Sequence, residues 1–267
     1  MSESKSVVGS AAKTLAVLRA FTVEHAELTI SEVGERAGLD RGTSFRFINT
    51  LVALGYLALI RGTRRYRLTL MCLDLGYTAL ALGGLRAMAA PALRDMVPEL
   101  ADAASLGTLL GSDVVYVERI QSDMGRRDLD RRTGSRTGAY ASALGHVLLA
   151  WLPPEEARAV LASGDRVRLS ERTVVDMDAL MNRLATVRTR GYATADGENA
   201  YGLRTIAAPV LDVAGHVRAG ISLTIRNERQ ELDAFVAATL PSLTRVTADL
   251  TAALHKIKPA EPARHRT

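Results

Sequence analysis

"GLDRGTSFRFINTLVALGYL", residues 38 to 57, decides how the first part of this chain folds. Gly38 can end a preceding helix, Asp40 is a good N-cap, and residues 41 to 55 have helical periodicity. Ser44, Ile48, Leu51 and Gly55 lie along one stripe, and Thr43, Arg46 and Thr50 lie opposite at i, i+3 and i+7. A helix serving only a core would not carry Arg41, Thr43, Arg46, Asn49 and Thr50 along its length.

The flanking sequence completes a small domain. In "SAAKTLAVLRAFT" (10–22), Leu15, Leu18 and Phe21 form one helical stripe. In "LTISEVGERAG" (28–38), Thr29 followed by Glu32 fits a capping box, and Ile30, Val33 and Ala37 give a second short helix its buried side. After Gly55, "YLALI" and "YRLTL" are strand-type runs joined by "RGTRR", a hairpin with an arginine-loaded tip. Three helices and a basic hairpin over residues 8–70 describe a winged helix-turn-helix. "MCLDLGYTALALGG" (71–84) is expected to be a linker helix with an apolar face for a partner.

Charge points the same way. Between residues 36 and 67 stand Arg36, Arg41, Arg46, Arg61, Arg64, Arg65 and Arg67 against the single acid Asp40. That local excess of six exceeds the net charge of +5 carried by all 267 residues. Concentrated on one helix and one hairpin, it marks a surface that faces a polyanion. Arginine can pair with guanine O6 and N7, hydroxyls and Asn49 can take base edges or phosphates, and wing arginines supply salt-dependent affinity. The expected DNA-binding residues are Arg41, Thr43, Ser44, Arg46, Asn49, Thr50, Arg61, Arg64 and Arg65.

Residues 85–256 mix helices and strands. "PALRDMVPELADAA" reads as helix, "LGTLLGSDVVYVERI" as strand-turn-strand, and "DLDRRTGSR" as an exposed strand. "SALGHVLLAWL", "PPEEARAVLA" and "MDALMNRLATVRTR" are helical, "TIAAPVLDVAGHVRAGISLTI" is a second strand pair, and a last helix spans roughly 232–256. The expected fold is α+β, an antiparallel sheet flanked by helices, and the tail 257–267 is expected to be disordered.

Several segments in order resemble one family. Ala11, Leu15 and Leu18, then "LTISEVGERAGLDRGTSFRFINTLVALGYL", the basic wing and "YRLT" are similar to the IclR family of bacterial transcription regulators. So are "GSDVVYVERI", "GSRTGAYASALGHVLLAWL", "VRTRGYATADGENAYGLRTIAAPVLD" and "GHVRAGISLTI", so the resemblance covers about residues 8 to 255. It implies a winged helix, a linker helix and a C-terminal effector domain of GAF/PAS type. It also implies dimers, or dimers of dimers, on palindromic double-stranded DNA.

Two departures stand out. Arg41-Gly42-Thr43 replaces the usual Lys-Ser-Thr, which removes a hydroxyl contact. Thr205 and Ala195 stand where the family usually has Cys, Ser or Ala, and often an acid.

In the second domain the resemblance implies an effector pocket lined by Tyr140, Ser142, Ala143, Leu144, Thr205, Ser222 and Thr224. Ser222 and Thr224 alternate on one strand and so share a face, and Ser142 begins an apolar helix whose amides suit an anion. "GSR…AYASALGHVLLA" is closest to the branch that controls aromatic-acid catabolism, so an aromatic carboxylate or derivative is the expected effector.

Other functions fit less well. Ser142 and His146 stand at i, i+4, which raises a hydrolase of small acyl compounds, but there is no G-x-S-x-G motif and no acid to orient His146. His146 is expected near the helix surface, and neither catalytic residues nor a cofactor is expected. An effector-independent nucleic-acid binder, for example an RNA binder, would need stacking aromatics, for which Phe45 and Phe47 are the candidates. The single cysteine, Cys72, excludes an internal disulfide and any multi-cysteine metal site. No apolar run is long enough for a membrane helix and the N-terminus lacks a signal-peptide core, so a cytoplasmic location is expected.

Overall fold

A computed structural model describes residues 7–80, 84–122 and 131–256. The chain divides into two compact units, residues 1–80 and 81–267.

In the first unit, helices α1 (Gly9–Arg19), α2 (Ile30–Ala37) and α3 (Arg41–Ala53) enclose a core of Val17, Phe21, Leu28, Val33, Ile48, Leu51 and Leu57. The buried residue of α1 is Val17, and Ala20 and Phe21, just past its end, join the same core. Leu15, two residues and about 200° around the helix from Val17, points outward instead of joining it.

Helix α2 starts in the expected capping box: Thr29 N donates to Glu32 Oε2 at 2.7 Å, and Glu32 N donates to Thr29 Oγ1 at 3.4 Å. It ends at Gly38 in the left-handed region, φ 66°. Helices α2 and α3 cross closely at Gly34, where an added Cβ would lie 2.8 Å from Ser44 Oγ. The hairpin strands β2 (Leu57–Leu59) and β3 (Arg65–Leu68) are joined by a two-residue strand that periodicity did not reveal, β1 (Leu28–Thr29). The resulting sheet has the order β1-β3-β2. Helix α4 (Cys72–Leu80) follows.

In the second unit, β4 (Ala103–Leu110), β5 (Asp113–Gln121), β6 (Arg136–Gly138), β7 (Ala193–Asp196), β8 (Leu203–Leu211) and β9 (Val217–Arg226) form one sheet. Its order is β6-β5-β4-β9-β8-β7, and every neighbouring pair is antiparallel. Helices α5 (Leu85–Asp95) and α9 (Leu232–Lys256) pack on one face of the sheet. On the other lies α6 (Ala143–Ala150), with α7 (Pro154–Ala162) and α8 (Met177–Arg190) packed on it. Every residue of α6 is buried, as expected of a helix that is apolar all round.

Two expectations shift. The helix at 85–95 stops before Pro98, which has no N–H to offer and disfavours helical geometry in the residue before it. The strand expected at "DLDRRTGSR" begins only at Arg136, and residues 128–130 of that stretch lie outside the described residues. So does the tail 257–267, and so do Gly83 at the expected linker boundary and the side chains of Tyr77 and Leu80.

Two glycines set the seat of α6. A Cβ on Gly107 (β4) would come within 2.7 Å of Leu144 Cδ2, and one on Gly220 (β9) within 2.8 Å of Leu144 Cδ1. Leu144 therefore presses onto bare backbone, bringing the start of α6 down onto the sheet.

Candidate functional site

The first candidate surface is the outer side of α3. Arg41, Gly42, Phe45, Arg46, Asn49 and Thr50 are exposed, and Thr43 is half-buried. Asp40 caps the helix by accepting from Thr43 N at 2.8 Å and from Thr43 Oγ1 at 2.6 Å. Those bonds, the hydroxyl first, hold the Asp40 carboxyl below the usual carboxylate range. The Thr50 hydroxyl donates back to Arg46 O at 3.0 Å.

Ser44 does not belong to this surface. It is fully buried, its hydroxyl donates to Asp40 O at 2.9 Å, and it packs against Gly34 of α2. Its place on the Ile48–Leu51 stripe decides this, because a small hydroxyl bonded to its own helix fits a tight crossing.

Arg61 and Arg64 are exposed in the hairpin turn. Arg65 is not at the tip. It stands in β3 opposite Thr29, and its guanidinium donates to Glu27 O at 2.8 Å and pairs with Glu32 at 3.4 Å. It clasps the hairpin to the start of α2.

The second candidate is a pocket on the α6 face of the sheet. Ser142, Ala143 and Leu144 border it from α6, Thr205, Ser222 and Thr224 from β8 and β9, and Ala195 from β7. The Thr205 and Thr224 hydroxyls lie 3.1 Å apart. Residues the sequence reading did not single out complete the wall: Tyr116, Arg119, Arg131 and Glu198. Both guanidiniums lie over the Tyr116 ring, at 5.6 Å for Arg119 and 5.9 Å for Arg131, and Arg131 also donates to the Tyr116 hydroxyl at 2.9 Å. Arg119 is steadied by Ser105 Oγ and Gln121 Oε1, each at 2.8 Å.

A break in register explains how Tyr116 and Arg119, three residues apart, share a face. Gly107 pairs with Tyr116 and Leu106 with Glu118, which leaves Val117 as a bulge. Beyond the bulge, Arg119 pairs with Ser105 on the pocket face. Glu118 turns to the other face, where its carboxylate meets Arg86 of α5 at 2.8 Å.

Glu198 is held at both ends. Its main-chain carbonyl accepts from Thr173 Oγ1 at 2.6 Å and Ser170 Oγ at 3.3 Å, and its carboxylate pairs with Arg183 of α8 at 2.6 Å. Burial pushes its carboxyl above the usual range, against the pull of Arg183.

The comparisons agree with this geometry. The model of the IclR helix-turn-helix domain matches residues 10–59, and that of the bacterial transcriptional regulator IclR C-terminal domain matches residues 78–251. The chain belongs to the IclR family.

Among curated relatives, this IclR-family chain is 33% identical to the HTH-type transcriptional regulator KdgR of Escherichia coli, over 91% of the chain and 93% of that protein. It is 31% identical to the Pca regulon regulatory protein of Pseudomonas putida, over 90% and 82%. Among solved structures, a transcriptional regulator from Rhodococcus sp. RHA1 superposes with a TM-score of 0.79 at 34% identity, covering 93% of this chain and 98% of that one. An IclR homologue from Microbacterium hydrocarbonoxydans, solved with 4-hydroxybenzoate, gives 0.78 at 26% identity, covering 92% and 99%. The protein is thus a DNA-binding transcription regulator with an effector-binding C-terminal domain.

For this IclR-family protein, two expected pocket features move. Tyr140 lies outside the pocket: its hydroxyl donates to Val167 O at 2.7 Å and accepts from Val167 N at 3.1 Å. The Ser142 hydroxyl accepts from Gly145 N at 3.0 Å as the N-cap of α6, which takes up one amide of the first turn, and Arg119 and Arg131 add positive charge to the same wall.

His146 is not at the helix surface. It is fully buried with Nε2 2.8 Å from Tyr140 O, and burial lowers its pKa to about 4. Because Tyr140 O is an acceptor, Nε2 carries the proton and Nδ1 is left as a buried acceptor with no partner. Ser142 and His146 are therefore committed to other partners, and no Ser–His pair forms among the described residues. No group of residues suited to a metal ion occurs among them either, and no helix there is long and apolar enough to cross a membrane.

Proposed function

We propose that the pocket takes a small aromatic carboxylate and that its occupancy controls how the winged helix-turn-helix holds a palindromic operator in the cytoplasm. The observation that carries this is the pair of guanidiniums over the Tyr116 ring at the pocket wall. They supply positive charge for an anionic group. Leu144, Leu203 and Ala195 supply apolar contact for a ring, and Ser222, Thr224 and Thr205 supply hydroxyls for its substituents. The 4-hydroxybenzoate bound to the Microbacterium homologue supports this class of ligand. In this reading residues 8–70 read DNA, 71–84 link, and 85–256 sense the effector and assemble a dimer or dimer of dimers. Arg41, Arg46, Asn49 and Thr50 face the major groove, with Thr43 at the edge beside the cap, and Arg61 and Arg64 reach the backbone. A dimer places two copies of α3 about one DNA turn apart.

The test is thermal and urea unfolding of the full chain with and without 4-hydroxybenzoate. Ligand at a hundredfold excess over its Kd adds about 2.7 kcal/mol to the second unit. Arg131→Met abolishes the gain. An equal gain in Arg131→Met and the unaltered chain refutes the arginine-bound carboxylate.

A further inference from the structure

One large apolar side chain on the outer face of α3 has no role so far. Phe45 is 50% exposed, whereas the core of the same unit buries Phe21 and takes Phe47 as a half-buried neighbour. It lies one turn beyond Arg41 and one turn before Asn49, next to Arg46, in the middle of the polar face. Helical side chains lean back toward the N-terminus, so Phe45 leans toward the turn that carries Arg41 and Gly42 without reaching the Gly42 position. Gly42 puts nothing beside it: a Cβ there would meet only Asp40 Oδ1, at 3.3 Å. The ring is open on that side.

The chemistry of a major groove gives such a ring one counterpart. Arg46 matches guanine and Asn49 matches adenine, through paired hydrogen bonds. The C5 methyl of thymine offers no hydrogen bond and is read by apolar contact. We infer that Phe45 reads a thymine methyl in each operator half-site, and that Gly42 clears the approach to it. The hydroxyl contact that Gly42 removes is replaced by an apolar one a turn further along the helix. This rests on α3 being the reading helix.

The experiment first selects an operator for the full chain from a random duplex pool. Each thymine of that operator is then replaced in turn by deoxyuridine, which deletes only the methyl, and binding is followed by fluorescence anisotropy. At one thymine per half-site the replacement weakens binding about fourfold, the worth of one buried methyl. Phe45→Ala weakens binding to the thymine operator by at least that factor, binds random DNA as before, and no longer distinguishes thymine from uracil. Phe45→Leu, which keeps an apolar contact and controls for folding, retains part of the discrimination.

Indifference of the unaltered chain to every replacement overturns the inference, as does a uracil penalty undiminished in Phe45→Ala. Arg46→Ala separates the two levels. If it loses operator binding while Phe45→Ala does not, α3 reads DNA without the methyl contact. If both bind the operator as the unaltered chain does, or if no operator is selected, α3 is not the reading helix and the inference falls with it.

Discussion

Burial of His146 predicts a stability that depends on pH in a defined window. The folded unit holds this imidazole neutral, with a pKa of about 4 against the ordinary 6.5, because burial disfavours the charged ring and Arg183 adds a like charge. Between those values the unfolded chain takes a proton that the folded one refuses. Stability is complete above pH 6.5 and falls as pH drops toward 4. Each pH unit inside the window costs about 1.4 kcal/mol, so the loss is about 2 kcal/mol by pH 5 and about 3 kcal/mol by pH 4.

Glu198, whose carboxyl is raised, contributes in the opposite direction, since its folded form binds a proton first as pH falls. It remains in the variant, so the difference between the two proteins belongs to His146. The chain's single tryptophan, Trp151, ends α6 and packs against this core, with Arg188 4.8 Å over its ring. Urea unfolding read from its emission therefore reports this unit. His146→Gln should flatten the slope between pH 6.5 and 5. Parallel slopes for the two proteins would refute the assignment.

Two further outcomes concern packing and capping. Gly107→Ala forces a methyl against Leu144 Cδ2 at 2.7 Å and Val115 O at 3.0 Å, and should cost about 1–3 kcal/mol in the same Trp151 assay. Asp40→Ala removes the cap of α3 and should lower the melting temperature of the first unit, measured by circular dichroism at neutral pH. That contribution begins to fade only as pH falls below the ordinary carboxylate range toward the depressed folded pKa of Asp40, so the gap between the two proteins should narrow in acid.

The legibility of each element depends on the range of the interaction that fixes it. The caps of α2 and α3, the Gly38 stop and the all-apolar α6 depend on residues within four positions of each other, and periodicity exposes them. That Ser222 and Thr224 share a face is legible because alternation is strict along β9 at those positions, whereas Thr205 follows only from the resemblance, and the β8–β9 register sets it opposite Thr224. Arg119 was not legible, because the bulge at Val117 reverses the alternation and only pairing with β4 reveals it. Tyr140 was misplaced because its partner, Val167, lies 27 residues away. Arg65 looked like a tip residue because the short strand β1, which draws it to Glu32, leaves no periodic trace.

The bulge in β5 also decides the sign of the pocket wall. Were the segment beyond Val117 to slip by one residue, Glu118 would turn inward and Arg119 outward. The same sequence would then present a cavity two charge units more negative, fit for a cation rather than an anion. The Arg86–Glu118 pair on the far face opposes that slip, for it exists only while Glu118 points away from the pocket. An ion pair on the far face of the sheet thus guards the charge of the pocket wall. A change of register with no change of residue would by itself reverse the charge that the cavity presents.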